Sequence, residues 1–323
     1  MKFLINHSDM SFFAFTRLLR IVLPHVKVFF GIAAAAGFLL VSGCAGKSPG
    51  GLLVPNLDKS FPPGTIVSSA ERGPVSFEKM ITDLSRARVV YVAESHTNAR
   101  HHEIQLRVLN ALYSLHPDLT VGMEMFSRPY QDVLEKWKDG EIGEEEFIRR
   151  VHWYANWRYD YGLYEPLLDF IREKKISVYA LNIAFHVPKK IAAGGMDSLL
   201  PEDAARLPNQ VDLSNSQYRE YVREIFKQHG FAGKHYEFEN FYQAQCVRDE
   251  VMAETISSHL NDGPMVVFAG AGHVFTGYGV PGRAYARTGE DYKTVLPVSA
   301  GSEHELEEAD YLWVTPPSNQ SPH

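Results

Sequence analysis

Two carboxylates and two imidazoles stand where apolar runs end. Val89-Val90-Tyr91-Val92-Ala93 leads into Glu94-Ser95-His96, and Thr120-Val121-Gly122-Met123 leads into Glu124. Met265-Val266-Val267-Phe268-Ala269-Gly270-Ala271-Gly272 leads into His273. A carboxylate and an imidazole two residues apart can both reach one point from a strand-to-loop turn. Carboxylate oxygen and neutral imidazole nitrogen are ligands for a divalent metal, and equally the partners of acid/base chemistry. Each residue taken singly is as readily a satisfied polar group at a sheet edge; four that converge make a candidate site. Convergence requires the three strands to be parallel neighbours, because ligands of open α/β sheets collect beyond the carboxyl ends of the strands.

The segments between those strands support that arrangement. Ile104, Val108, Leu109, Leu112 and Leu115 fall on one face at helical spacing, which predicts a helix over 101–115. His116-Pro117-Asp118 stops it before the second strand, giving a β-α-β unit and hence a parallel sheet. Further helices are predicted over Phe77 to Arg86, Gln131 to Trp137, Glu144 to Val151 and Glu165 to Lys174. Ile176 to Leu181 reads as a strand ending at Asn182. Residues 187–262 read as mostly helical, with a long helix over 241–260 that turns Ala244, Val247, Val251 and Ile256 inward. Ala284 to Arg287, Thr294 to Val298 and Tyr311 to Thr315 read as added strands. The predicted fold class is α/β: a central, largely parallel sheet, mixed at one edge, flanked by helices, with a helical insertion before the last key strand.

The first 43 residues are expected to stand apart from the domain. Arg17, Arg20 and Lys27 precede an apolar run from Val28 to Val41, about 14 residues, short for a membrane span and suited to a signal sequence. The run ends at Val41-Ser42-Gly43-Cys44, which resembles the lipobox of bacterial lipoproteins. That resemblance implies cleavage before Cys44 and acylation of Cys44, which would hold the protein on a membrane. Ala45 rather than Asp follows the cysteine, which by the bacterial sorting pattern favours the outer membrane. Residues 44–63 are rich in Gly, Pro and Ser and are expected to form a flexible tether, residues 64–316 the domain, and residues 317–323 a disordered tail. The net charge of −7 becomes about −10 without residues 1–43, a poor balance for a nucleic-acid partner. Cys246 is the only cysteine besides Cys44, which leaves no disulfide framework and no CxxC knuckle.

Several motifs in order resemble the ChaN-like haem-binding lipoproteins, of the superfamily that also holds the Tiki and TraB proteins and erythromycin esterase. They are Ala93-Glu94-Ser95-His96, Gly122-Met123-Glu124-Met125-Phe126, Tyr161 with Tyr164-Glu165-Pro166-Leu167-Leu168, and Ala180-Leu181-Asn182. The block from Phe238 to Ala253, Gly270-Ala271-Gly272-His273-Val274 and Gly279-Val280-Pro281-Gly282-Arg283 complete the set. Two positions depart from the family pattern. Ala93 stands where Gly is usual, and Val247-Arg248 precede Asp249 where Trp is frequent, so that Arg248 alters what faces the cleft.

The resemblance implies an outer-membrane-anchored protein that binds haem and assists haem-iron uptake, with uptake machinery and a second copy of the chain as possible partners. It also implies a tyrosine as axial ligand to ferric iron, a hard oxygen donor. Tyr161 and Tyr164 rank first; Tyr154, Tyr159, Tyr242 and Tyr278 stay open, and core packing is the alternative for each. His101 and His102 are either a second axial contact or a solvated pair on a first helical turn. Arg283 is either a propionate contact or half of a surface ion pair. Asn182, Gln245 and Asp249 are candidate polar groups of the cleft. The competing reading is a metal-dependent hydrolase acting on peptide or ester bonds, in which Glu94, His96, Glu124 and His273 hold the divalent metal or activate water.

Overall fold

The computed structural model describes residues 50–228 and 237–317. The signal-like segment, Cys44 and the last six residues of the tail therefore lie outside the described residues. Ten strands run in chain order: β1 (Leu52–Val54), β2 (Lys59–Phe61), β3 (Ile66–Ser68), β4 (Gly73–Val75) and β5 (Val89–Glu94), then β6 (Thr120–Ser127), β7 (Val178–Asn182), β8 (Met265–Gly270), β9 (Tyr292–Ser299) and β10 (Tyr311–Thr315). Eight of them form one sheet in the order β4-β3-β10-β9-β5-β8-β6-β7. All pairs from β10 to β7 are parallel, and only β3 and β4 run against their neighbours. The expected α/β class, mixed at one edge, is the observed one. β5, which ends at Glu94, and β6, which carries Glu124 inside it and runs on to Ser127, flank β8, which runs into His273.

Alternation along each strand builds a core on both faces. Val90 and Val92 of β5 pack with the helices Ala99–Leu115, Gln131–Lys138 and Glu165–Lys174. Val89, Tyr91 and Ala93 pack on the other face with the helices Phe238–His259 and Val280–Thr288. Strands buried on both faces read as continuous apolar runs, as these do. The pleat has one consequence for the site. In β6 the residues Val121, Met123 and Met125 face the first helical layer, so Glu124 turns to the second. In β5 the parity is reversed, and Glu94 turns to the first layer.

Two expectations are corrected and a third holds. Residues 280–288 form a helix, not a strand: Pro281 opens it, and Val280 and Ala284, four apart, are its buried stripe. The tether is shorter than residues 44–63, because β1 and β2 form an antiparallel hairpin that buries Leu52, Val54 and Phe61. The short alternation of Leu52-Leu53-Val54 was hidden among Gly and Pro. The insertion is helical as expected, with its last helix spanning Phe238–His259.

Candidate functional site

Glu94 ends β5 fully buried and is held by every group around it. Tyr164 Oη donates to its Oε1 at 2.8 Å, and Gln105 Nε2 donates to its Oε2 at 2.9 Å. His96 Nδ1 lies 2.8 Å from Oε1, and His102 Nδ1 lies 3.2 Å from Oε2. Burial alone would raise this carboxyl, but the bonds to His102 and His96 outweigh it and bring its pKa down to about 2. The helix Ala99–Leu115, capped by Asn98, supplies His102 and Gln105 from one face of its first turns. The His96 ring sits between Trp157 and Tyr159, with both centroids at 4.7 Å, and is partly exposed. Gly270 makes that position possible: a Cβ there would come within 2.6 Å of His96 Cε1.

Glu124 is buried on the opposite face and is held by cations. Arg248 donates to its Oε1, His273 Nε2 lies 3.3 Å away, and the Gly270 amide donates to Oε2 at 2.7 Å. Against the cost of burial, His273 and Arg248 keep its carboxyl well below the ordinary range. His273 also bonds Asp249 through Nδ1, and Asp249 accepts from Tyr218. Burial would make this imidazole hard to charge, but Glu124 and then Asp249 overcome it and raise its pKa to about 9. Gln245 Nε2 donates to Tyr218 Oη at 3.3 Å, and Asn182 Nδ2 donates to the Glu124 carbonyl at 3.1 Å. Thus Asn182, Gln245 and Asp249 do stand around one center, with Arg248 as its cationic lid.

The four strand-end residues are brought together, yet not as a metal shell. Glu94 and Glu124 point to opposite layers, and each is already saturated by donors. Among the described residues no group of three or more His, Cys, Asp or Glu is disposed to hold a metal ion. Next to Arg248 opens a cavity of about 330 Å³ lined by Phe185, Pro188, Lys189, Phe241, Ala244 and Gln245, among others. Its walls are apolar, and Lys189 and Arg248 bring positive charge to it. That combination fits a flat apolar ligand with anionic substituents, which is the chemistry of haem.

The tyrosines fall differently from their ranking. Tyr164 is fully buried with its hydroxyl committed to Glu94, and Tyr161 is buried edge-on against Trp153. Both phenols are raised by burial, and neither side chain faces open solvent. Tyr242 is buried with its hydroxyl on the carbonyls of Leu213 and Asn215. Tyr159 is half-buried against His96, Tyr278 is half-buried beside Arg283, and Tyr154 is 58% exposed. His101 and His102 are not solvated: both are buried, because the first helical turn lies under the strand end rather than outside it. Arg283 is buried in an ion pair with Glu250 and donates to the Asp212 carbonyl at 3.0 Å, so it makes no surface pair. Gln105, Lys189 and Tyr218 were missed. Gln105 alone carried a signal, an amide on the otherwise apolar face of a predicted helix.

Residues 80–283 match the family described as haem-binding uptake, Tiki superfamily, ChaN. Among solved structures, ChaN of Campylobacter jejuni, described as showing cofacial haem binding, aligns with a TM-score of 0.65 at 20% identity, covering 77% of this chain and 95% of that one. An erythromycin esterase in its open conformation aligns at 0.45 and 12% identity, covering 73% of this chain and 77% of its own. No curated protein matches the chain. The family match spans four of the sheet's eight strands and both halves of the buried polar center, and by it the chain belongs to the ChaN family of haem-binding proteins within the Tiki superfamily.

Proposed function

We propose that this protein binds haem on the cell envelope, anchored to the outer membrane through an acylated Cys44, and passes haem to uptake machinery. The observation that carries the reading is the apolar cavity beside Arg248 and Lys189, in a chain whose family is described by haem binding. Phe185 and Phe241 would contact the ring, and the two cations would meet its propionates. His96 and Tyr159, whose rings are in contact at 4.7 Å, are the candidate iron donors. Glu94 fixes His96 through Nδ1, which leaves Nε2 as the available nitrogen. Tyr161 and Tyr164, first choices by resemblance, would serve as walls beneath. The hydrolase reading loses support from the way Glu94 and Glu124 are saturated by opposite layers.

Titrating the full chain with hemin tests this. The expected result is a Soret shift at micromolar hemin that weakens at least tenfold in Tyr159→Phe or His96→Ala and stays intact in Tyr161→Phe. Absence of any haem-specific spectral change would end the proposal. Retention of affinity in Lys189→Glu with Arg248→Met would remove the cavity from it. Labelling with a radioactive fatty acid, lost in Cys44→Ala, tests the anchor.

A further inference from the structure

A second cavity, of about 440 Å³, lies beyond the carboxyl ends of β5 and β9, apart from the one beside Arg248. Ser95, His101, Ala271, Leu296, Val298 and Ser299 are among the residues that line it. His101 is its unusual member. The side chain is 4% exposed, and the Ser95 amide donates to its Nδ1 at 2.9 Å. That bond makes Nδ1 the acceptor and puts the ring proton on Nε2. Nε2 is buried and has no hydrogen-bond partner among the described residues. A buried donor left unmatched is costly, so its retention points to an acceptor that arrives with a ligand.

The surroundings define that ligand. Burial lowers the His101 pKa to about 4, so the ring is neutral at ordinary pH. Of the charged groups that line the cavity, Glu224 is paired with Lys227 at 2.6 Å and His304 with Glu308. Among the described residues that line the cavity none is an unpaired cation, and Leu296 and Val298 give it hydrocarbon wall. A neutral oxygen acceptor on an apolar body satisfies both conditions. The mouth also lies beside the first described residues, since Ser302 lines the cavity. Leu53 donates to the Ser302 carbonyl at 3.0 Å and Gly301 to that of Gly51 at 3.2 Å, and Cys44 lies six positions before Gly50 in the sequence.

We propose that this cavity binds a neutral fatty acyl ester, with its hydrocarbon against Leu296 and Val298 and its carbonyl oxygen accepting from His101 Nε2. This inference rests on the anchor proposed at Cys44, which makes membrane lipid the source of the ester.

The test is photolabelling of the full chain in detergent with the methyl ester of a diazirine-bearing dodecanoic acid, followed by peptide mapping. The ester should label the peptides carrying Ala271 and Leu296 to Ser299 at least fivefold more than the free acid does at pH 8. Unlabelled methyl laurate should compete, and His101→Phe and the mouth-filling Ser299→Trp should each lower labelling at least fivefold while hemin binding is unchanged. Equal labelling by the acid, failure of methyl laurate to compete, or label confined to the Phe185 and Phe241 cavity would overturn the proposal. Competition needs no variant, so a misfolded substitution cannot rescue the idea.

Discussion

Glu94 and Glu124 are both buried carboxylates, but they are kept charged in different ways. Glu94 accepts from the Gln105 amide and the Tyr164 hydroxyl and stands beside His96 and His102, whereas Glu124 sits between the charged Arg248 and the imidazolium of His273. Removing Arg248 therefore strands a charge. We predict that Arg248→Met destabilises the fold by about 3–5 kcal/mol in urea unfolding, and that adding Glu124→Gln recovers much of it. The pH dependence follows from His273, whose folded pKa is raised to about 9 from an ordinary value of 6.5. A raised pKa gives stability that is fully present below pH 6.5 and is lost as pH rises through 9. Unfolding measured at pH 6 and pH 9 should show a loss on the order of 3 kcal/mol in the wild type and a much smaller one in His273→Gln. The acid side has the opposite sign. Glu94, lowered to about 2, contributes stability above its ordinary pKa that is lost as pH falls toward 2. A flat profile above pH 7 would mean that His273 is neutral in the fold.

At the scale of elements, the parallel order of β5, β8 and β6 was readable because each begins as a mostly apolar run that reaches a polar residue, although β6 continues past Glu124 to Ser127. The direction of each carboxylate was not. It depends on pleat parity, and a one-residue difference in where a strand begins sends the side chain to the other layer. That is why the spacing reads as one set of four ligands, while among the described residues Glu94 and Glu124 face opposite layers and no cluster of three or more His, Cys, Asp or Glu is disposed to hold a metal ion. The burial of His101 and His102 was hidden for a related reason: a first helical turn is exposed only if nothing lies over it. Gly270 shows how closely β8 governs the site. We predict that Gly270→Ala folds, because the atom in the way belongs to a partly exposed ring, but turns His96 out of its place. Hemin spectra of Gly270→Ala should then resemble those of His96→Ala. Gly282 is different in kind, because a Cβ there would meet the Gly277 carbonyl at 2.1 Å, and backbone cannot swing aside. Gly282→Ala should lower the melting temperature substantially, where Gly270→Ala lowers it little.

At the scale of the whole molecule, the domain starts earlier than its composition suggests. Gly, Pro and Ser between residues 47 and 63 read as a linker, yet Leu52 and Val54 are fully buried and pack with Leu306 and Leu312. A linker and a strand place opposite demands on those two positions. In a linker the side chains are solvated and substitution changes nothing measurable. In the hairpin, truncating a fully buried leucine leaves a cavity and costs about 2–5 kcal/mol. We predict a loss in that range for Leu52→Ala in urea unfolding of the full chain, against less than about 0.5 kcal/mol for the neighbouring, 41% exposed Leu53→Ala. The hairpin is also locked to the loop after β9, since Leu53 donates to the Ser302 carbonyl and Gly301 to that of Gly51, so its loss would be felt on both sides of that contact. Equal, small effects at Leu52 and Leu53 would return this segment to the linker.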